Sequence, residues 1–169
     1  MHALVVYESM YGNTRLIAEA VARGLTAHAK VDTTEVAVAP KEIPADIDLL
    51  VVGGPTHAFS MSRLSTREDA RRDGAIGTAA TGIREWIDGL GPQRPPIRVA
   101  TFDTKVAKPR LPGSAARSAL RKLRRLGFTP LAPAHTFLVE GKSGPLLPGQ
   151  EDAATGWGEK LSASVVDRL

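Results

Sequence analysis

The segment Glu8-Ser9-Met10-Tyr11-Gly12-Asn13-Thr14 stands between a short apolar run and the most regular amphipathic stretch of the 169-residue chain. A bound phosphate needs several convergent backbone N–H groups, hydroxyl or amide donors, and the positive end of a helix dipole. This segment offers all three. Gly12 lets the backbone approach closely, Ser9, Asn13 and Thr14 carry side-chain donors, and Met10 and Tyr11 complete the turn. Asn13 is the only asparagine in the chain. The bland alternative is that Asn13 or Thr14 only caps the following helix. Neither the phosphate-binding GxxxxGK[ST] pattern nor GxGxxG occurs.

The elements that would hold such a loop follow from the spacing of apolar residues. Short β-branched runs predict strands at 3–7, 31–38, 49–53, 97–102 and 134–139. Residues 14–29 carry Leu16, Ile17, Ala20, Val21 and Leu25 at helical spacing and predict the clearest helix. Further helices are predicted at 79–90, at 114–126 after Pro112-Gly113, and at 151–169, where Ala154, Trp157, Leu161, Val165 and Leu169 form one stripe. Strands alternating with helices, under the right-handed crossover rule, imply one α/β domain over 1–169. The expected architecture is a doubly wound, five-stranded parallel sheet of order 2-1-3-4-5 with helices on both faces, its ligand at the carboxyl ends of strands 1 and 3.

The first loop, Ser9-Met10-Tyr11-Gly12-Asn13-Thr14, resembles the phosphate-binding loop of flavodoxins and their relatives. Tyr11 departs from the small hydroxyl residue usual there, and Ser-Met-Tyr-Gly is similar to the loop of flavodoxin-like quinone reductases. The resemblance implies one bound FMN. It also makes Pro55-Thr56-His57-Ala58-Phe59 the first loop around the flavin ring, with His57 and Phe59 flanking it; an ordinary core position is the alternative for Phe59 and an exposed loop position the one for His57. Thr101-Phe102-Asp103 would then be the second ring loop. It lacks the tyrosine that stacks on the ring in typical members, so Phe102 is left to point into the core.

The absence of cysteine excludes thiolate metal sites, iron–sulfur ligation and a cysteine nucleophile. Redox chemistry must therefore come from a bound cofactor, and no metal site is expected. No apolar run approaches the roughly 18 to 20 residues of a membrane span, and the expected location is the cytoplasm. The net charge of +4 is spread over interspersed acidic and basic residues, without nucleic-acid-binding motifs. One stretch is one-sided: between Asp103 and Glu140 there is no acidic residue, and Arg117, Arg121 and Arg124 recur on one predicted helix face. This face is the expected docking site for an acidic redox partner or a small anionic substrate, a solvated helix face being the alternative. The charged segment 63–81 reads as a lid, a partner surface or a solvated extension. The functional expectation is an electron carrier with no catalytic side chain; the rivals are an NAD(P)H-dependent quinone reductase or other FMN oxidoreductase, and a flavin-free binding module of the same fold.

Overall fold

The computed structural model describes residues 1–167. The chain runs through β1 (His2–Tyr7), α1 (Asn13–Leu25), β2 (Lys30–Glu35), β3 (Leu49–His57), β4 (Ser60–Met61), α2 (Leu64–Arg72), α3 (Ile83–Asp88), β5 (Arg98–Val106), α4 (Ala115–Arg125), β6 (Thr129–Pro130), β7 (His135–Val139) and α5 (Gln150–Val166). The parallel sheet has the order β2-β1-β3-β5, with β6 and β7 both on the outer edge of β5. The predicted fifth strand, 134–139, is β7, and the short β6 ahead of it, which was not expected, pairs the same edge. Pro130 and Pro133 cannot donate to the ladder, so the edge pairs at Arg98 and Val99, breaks, and resumes from Phe102 to Val106. The short β4 turns back antiparallel on the end of β3. Among the described residues no helix is long and apolar enough to cross a membrane.

Alternation along the strands sends side chains to two cores. Leu4, Val6, Leu50, Val52 and Val99 face α3 and α4. Ala3, Val5, Val51, Ala100 and Phe102 face α1 and α5. The latter two helices touch backbone to backbone: a Cβ on Gly24 would lie 2.0 Å from the Thr155 carbonyl oxygen, and one on Gly158 2.3 Å from that of Val21.

Several expectations are corrected. Leu16, counted in the apolar stripe of α1, is 44% exposed, because Ile17, Ala20, Val21 and Leu25 already fill the buried face. The strand expected through residue 38 ends at Glu35 and passes into a 3₁₀ turn at Val36–Val38. The helix expected from residue 79 begins at Ile83; Gly82 is held extended where a Cβ would strike the side chains of Arg67, Glu8 and Ser62. Ala154, Leu161 and Val165 line the inner side of α5 as expected; Leu169 lies outside the described residues.

Candidate functional site

Glycine 12 turns the chain with φ of +95° and stands at the N-cap of α1. The hydroxyl of Ser9 accepts the N–H groups of Gly12 (3.1 Å) and Arg15 (3.3 Å). It shapes the loop from inside. The amides of Asn13 and Thr14, in the first helical turn, have no acceptor within the helix. Thr14 is buried and its hydroxyl pairs with that of Thr104 at 2.7 Å, while its backbone amide is left for a ligand. Met10 is buried against Ala70 and Ala75, and the Tyr11 hydroxyl donates to the Ala70 carbonyl at 3.4 Å. Tyr11 therefore braces the loop, which its sequence position did not reveal.

The first ring loop is a β-hairpin. His57 pairs with Ser60 across a two-residue turn, Ala58-Phe59, in which both residues have positive φ (44° and 73°). Such turns suit Asn or Gly; holding Ala and Phe there stores backbone strain of the kind that clusters at functional sites. Phe59 is 53% exposed at the tip, which rules out the core alternative. His57 is half-buried, its Nδ1 3.2 Å from the Thr66 hydroxyl. Burial, and secondarily the Arg67 charge, pushes its pKa down to about 4, so the imidazole is neutral near pH 7.

Thr101, Phe102 and Asp103 are not loop residues. The ladder to β7 carries β5 on to Val106, so the loop facing the hairpin is 107–113. Thr101 is buried and donates to the Ala116 carbonyl at 2.8 Å. Phe102 lies wholly in the core, its ring where a Cβ on Gly53 would stand. The buried Asp103 is a tie: its Oδ2 accepts from the hydroxyls of Thr56 (3.0 Å) and Ser114 (2.5 Å) and from the Ala116 amide (3.1 Å). It fixes the base of the hairpin to the start of α4.

A cavity of about 300 Å³ opens between these loops. The phosphate-type loop contributes Met10, Tyr11, Asn13 and Thr14, and the hairpin Pro55 to Ala58. Ser9, Gly12 and Phe59 lie beside it without lining it. Sequence reasoning missed the remaining walls, Thr66, Asp69, Ala70 and Asp73 of the 63–81 segment, Thr104 and Val106 on β5, and Val139 and Lys142 beyond β7. None carries a local signal, since long-range packing brings each there. A second cavity, about 480 Å³, lies on the other side of Val106 and is lined by Lys105, Arg110 and Arg117.

The 63–81 segment is a fixed wall rather than a solvated extension. Arg67 is fully buried and donates to the Ser62 hydroxyl (2.8 Å), the Ala79 carbonyl (2.8 Å) and the Glu85 carboxylate (2.9 Å). Ser62 in turn donates to Glu8 at 2.5 Å, and Glu8 also accepts the Ile83 amide at 2.9 Å. Burial pushes the Glu8 carboxyl above its ordinary range, against the pull of these hydrogen bonds. Beyond α2, the amides of Ile76 and Gly77 both donate to the Met10 carbonyl at 3.0 Å.

The flavodoxin family model matches residues 5–74, the stretch that holds the second half of β1, the phosphate-type loop, the hairpin and α2. No curated protein matches the sequence at a significant level. Among solved structures, a flavodoxin from the domain Archaea is 20% identical with a TM-score of 0.67, the match covering 98% of this chain and 99% of that one. Flavodoxin 1 from Bacillus cereus is 15% identical with a TM-score of 0.68, covering 100% and 99%. A WrbA-like flavodoxin from Agrobacterium tumefaciens is 16% identical with a TM-score of 0.58, covering 99% of both chains.

Proposed function

We propose that this chain is a flavodoxin-like, cytoplasmic electron carrier holding one FMN: residues 5–74 match the flavodoxin family model and the described chain takes the flavodoxin fold throughout. Proteins of this family bind FMN and pass electrons to partner proteins. The observation that carries the reading is the cavity at the carboxyl ends of β1, β3 and β5, bounded on one side by the phosphate-type loop and on the other by the strained hairpin. The residues fit the group. Gly12 and the amides of Asn13 and Thr14 suit a phosphate, while Pro55, Thr56, His57 and Ala58 give the ring a backbone edge, with Phe59 at its rim. Bound FMN supplies one- or two-electron transfer. The chain's own residues bind it, orient it and exclude water from one side; His57, neutral and tied to Thr66, adds no charge beside the ring, and no side chain is assigned a catalytic role.

Arg117 and Arg121 are exposed on α4, as is Arg124, and their side chains have no partner among the described residues. They suit an acidic redox partner or a small anionic substrate; no nucleic-acid-binding motif occurs in the sequence to favour that partner instead. The second reading, an FMN-dependent oxidoreductase such as an NAD(P)H:quinone reductase, is favoured by one feature: with Phe102 in the core, the loop 107–113 offers no aromatic cover for the ring. Sustained NAD(P)H oxidation with a quinone acceptor would select the enzyme.

Titration with FMN should give a yellow 1:1 complex with quenched flavin fluorescence, and Asn13→Ala should weaken FMN about tenfold while leaving riboflavin nearly unchanged. Unchanged fluorescence at micromolar protein would exclude FMN binding and leave the flavin-free module.

A further inference from the structure

The loop at residues 9–14 contains no cation, yet a phosphate monoester near neutral pH carries between one and two negative charges. Lys142 is the only lysine or arginine among the described residues that line the cavity. It does not point freely into it: its Nζ pairs with the Asp73 carboxylate at 2.5 Å, both side chains being largely exposed.

The placement of this pair matters more than its strength. Asp73 directly follows α2, whose Ala70 carbonyl receives the Tyr11 hydroxyl. Lys142 lies in the turn after β7, where Gly144 packs so close to Asn13 that a Cβ on it would stand 2.6 Å from Asn13 Oδ1. The two segments thus flank the phosphate-type loop, one against Tyr11 and one against Asn13, and the ion pair bridges them. Asp69 and Asp73 line the same cavity and oppose an entering anion. Asp69 is already engaged by Arg72 at 2.5 Å.

Resting on the FMN reading above, we propose that Lys142 is the phosphate's charged partner: it leaves Asp73, the competing acceptor that holds it beforehand, for the phosphate of an entering phosphoester, and so favours the phosphorylated flavin over the unphosphorylated one. Exchange is inexpensive because an exposed ion pair contributes little and is screened by salt. A lysine ammonium on its flexible stem can turn from one acceptor to another. A phosphate monoester carries more negative charge than one carboxylate, so it attracts the ammonium more strongly. No bond is made or broken beyond these hydrogen bonds.

The test compares dissociation constants for FMN and riboflavin in the full-length protein and in Lys142→Met, Lys142→Arg and Asp73→Asn. Lys142→Met should weaken FMN about tenfold and leave riboflavin unchanged, and Lys142→Arg should restore FMN binding. Asp73→Asn should tighten FMN severalfold, since it frees the ammonium and removes an opposing charge; a strap that merely held two segments together would instead loosen both ligands. Rising salt should narrow the gap between the ligands in the wild type but not in Lys142→Met. Wild-type FMN affinity in Lys142→Met, equal losses for both ligands, or weaker FMN binding by Asp73→Asn would overturn the proposal while the FMN reading stood. A wild-type protein that binds neither ligand would remove both.

Discussion

At the scale of single residues, the site is built from side chains whose polar atoms are mostly spent on one another. Ser9 serves loop amides, Thr14 serves Thr104, and Asp103 joins Thr56 to Ser114. His57 shows what this costs. Burial beside the Arg67 charge penalises the imidazolium, so the folded-state pKa of about 4 lies well below the ordinary 6.5. The folded protein therefore binds this proton less readily than the unfolded chain. Stability from the neutral ring is complete above pH 6.5 and is lost as pH falls from there toward 4. Ring-proton NMR should show His57 titrating near pH 4, below the ordinary histidine range; a midpoint near 6.5 would mean that the hairpin leaves the ring in water.

At the scale of elements, the 63–81 segment is the largest departure from expectation. Its alternation of arginines with Glu68, Asp69 and Asp73 reads as solvated surface, and six of the nine residues in α2 are indeed exposed. Arg67 reverses the outcome. Its guanidinium reaches a carbonyl, a hydroxyl and a carboxylate at once from three separate nitrogens, a spread that a lysine's single nitrogen lacks. Arg67→Met should cost about 3 kcal/mol or more, as expected for deleting one partner of a buried ionic network, and Arg67→Lys should recover only a small part. Urea denaturation measures this directly. An exposed arginine would change stability by no more than about 0.5 kcal/mol. Because the segment's far end is bonded to the Met10 carbonyl, the loss should also loosen the phosphate-type loop.

At the scale of the whole molecule, charge rather than contact governs the outcome. The chain carries a net +4; Arg117, near the start of α4, lines the second cavity with Lys105 and Arg110, and Arg121, Arg124 and Arg125 are exposed further along the same helix. Lys122 is the exception, paired with Asp88. Exposed charges act over about 8 Å at physiological salt, so partner encounter should depend on them while cofactor affinity does not. Electron transfer to an acidic partner, followed by stopped-flow absorbance, should slow as ionic strength rises. Reversing Arg117 and Arg121 to Glu should slow it further without changing FMN affinity. A rate flat across salt, with wild-type behaviour in the double reversal, would return this face to plain solvated helix.

The local pattern of residues, with the right-handed crossover rule, was enough for the order of the main strands, for α1, α3, α4 and α5, and for the loop at 9–14; it carried no sign of α2. These rest on periodicity and on the glycine and hydroxyl residues that stand next to one another in the chain. The same holds for a loop after the third strand, but not for its being a hairpin on a strand that runs on to His57. Tertiary structure alone decided where β5 stops, because its last four residues are held by β7 more than thirty residues away. It moved Thr101, Phe102 and Asp103 out of the ring loop for that reason. It also decided that one arginine of four in a charged segment is buried, and that Lys142, remote from the phosphate-type loop in sequence, closes its cavity. A side chain's neighbours along the chain fix its helix or strand. Which polar groups it meets across the fold depends on packing that no local spacing records.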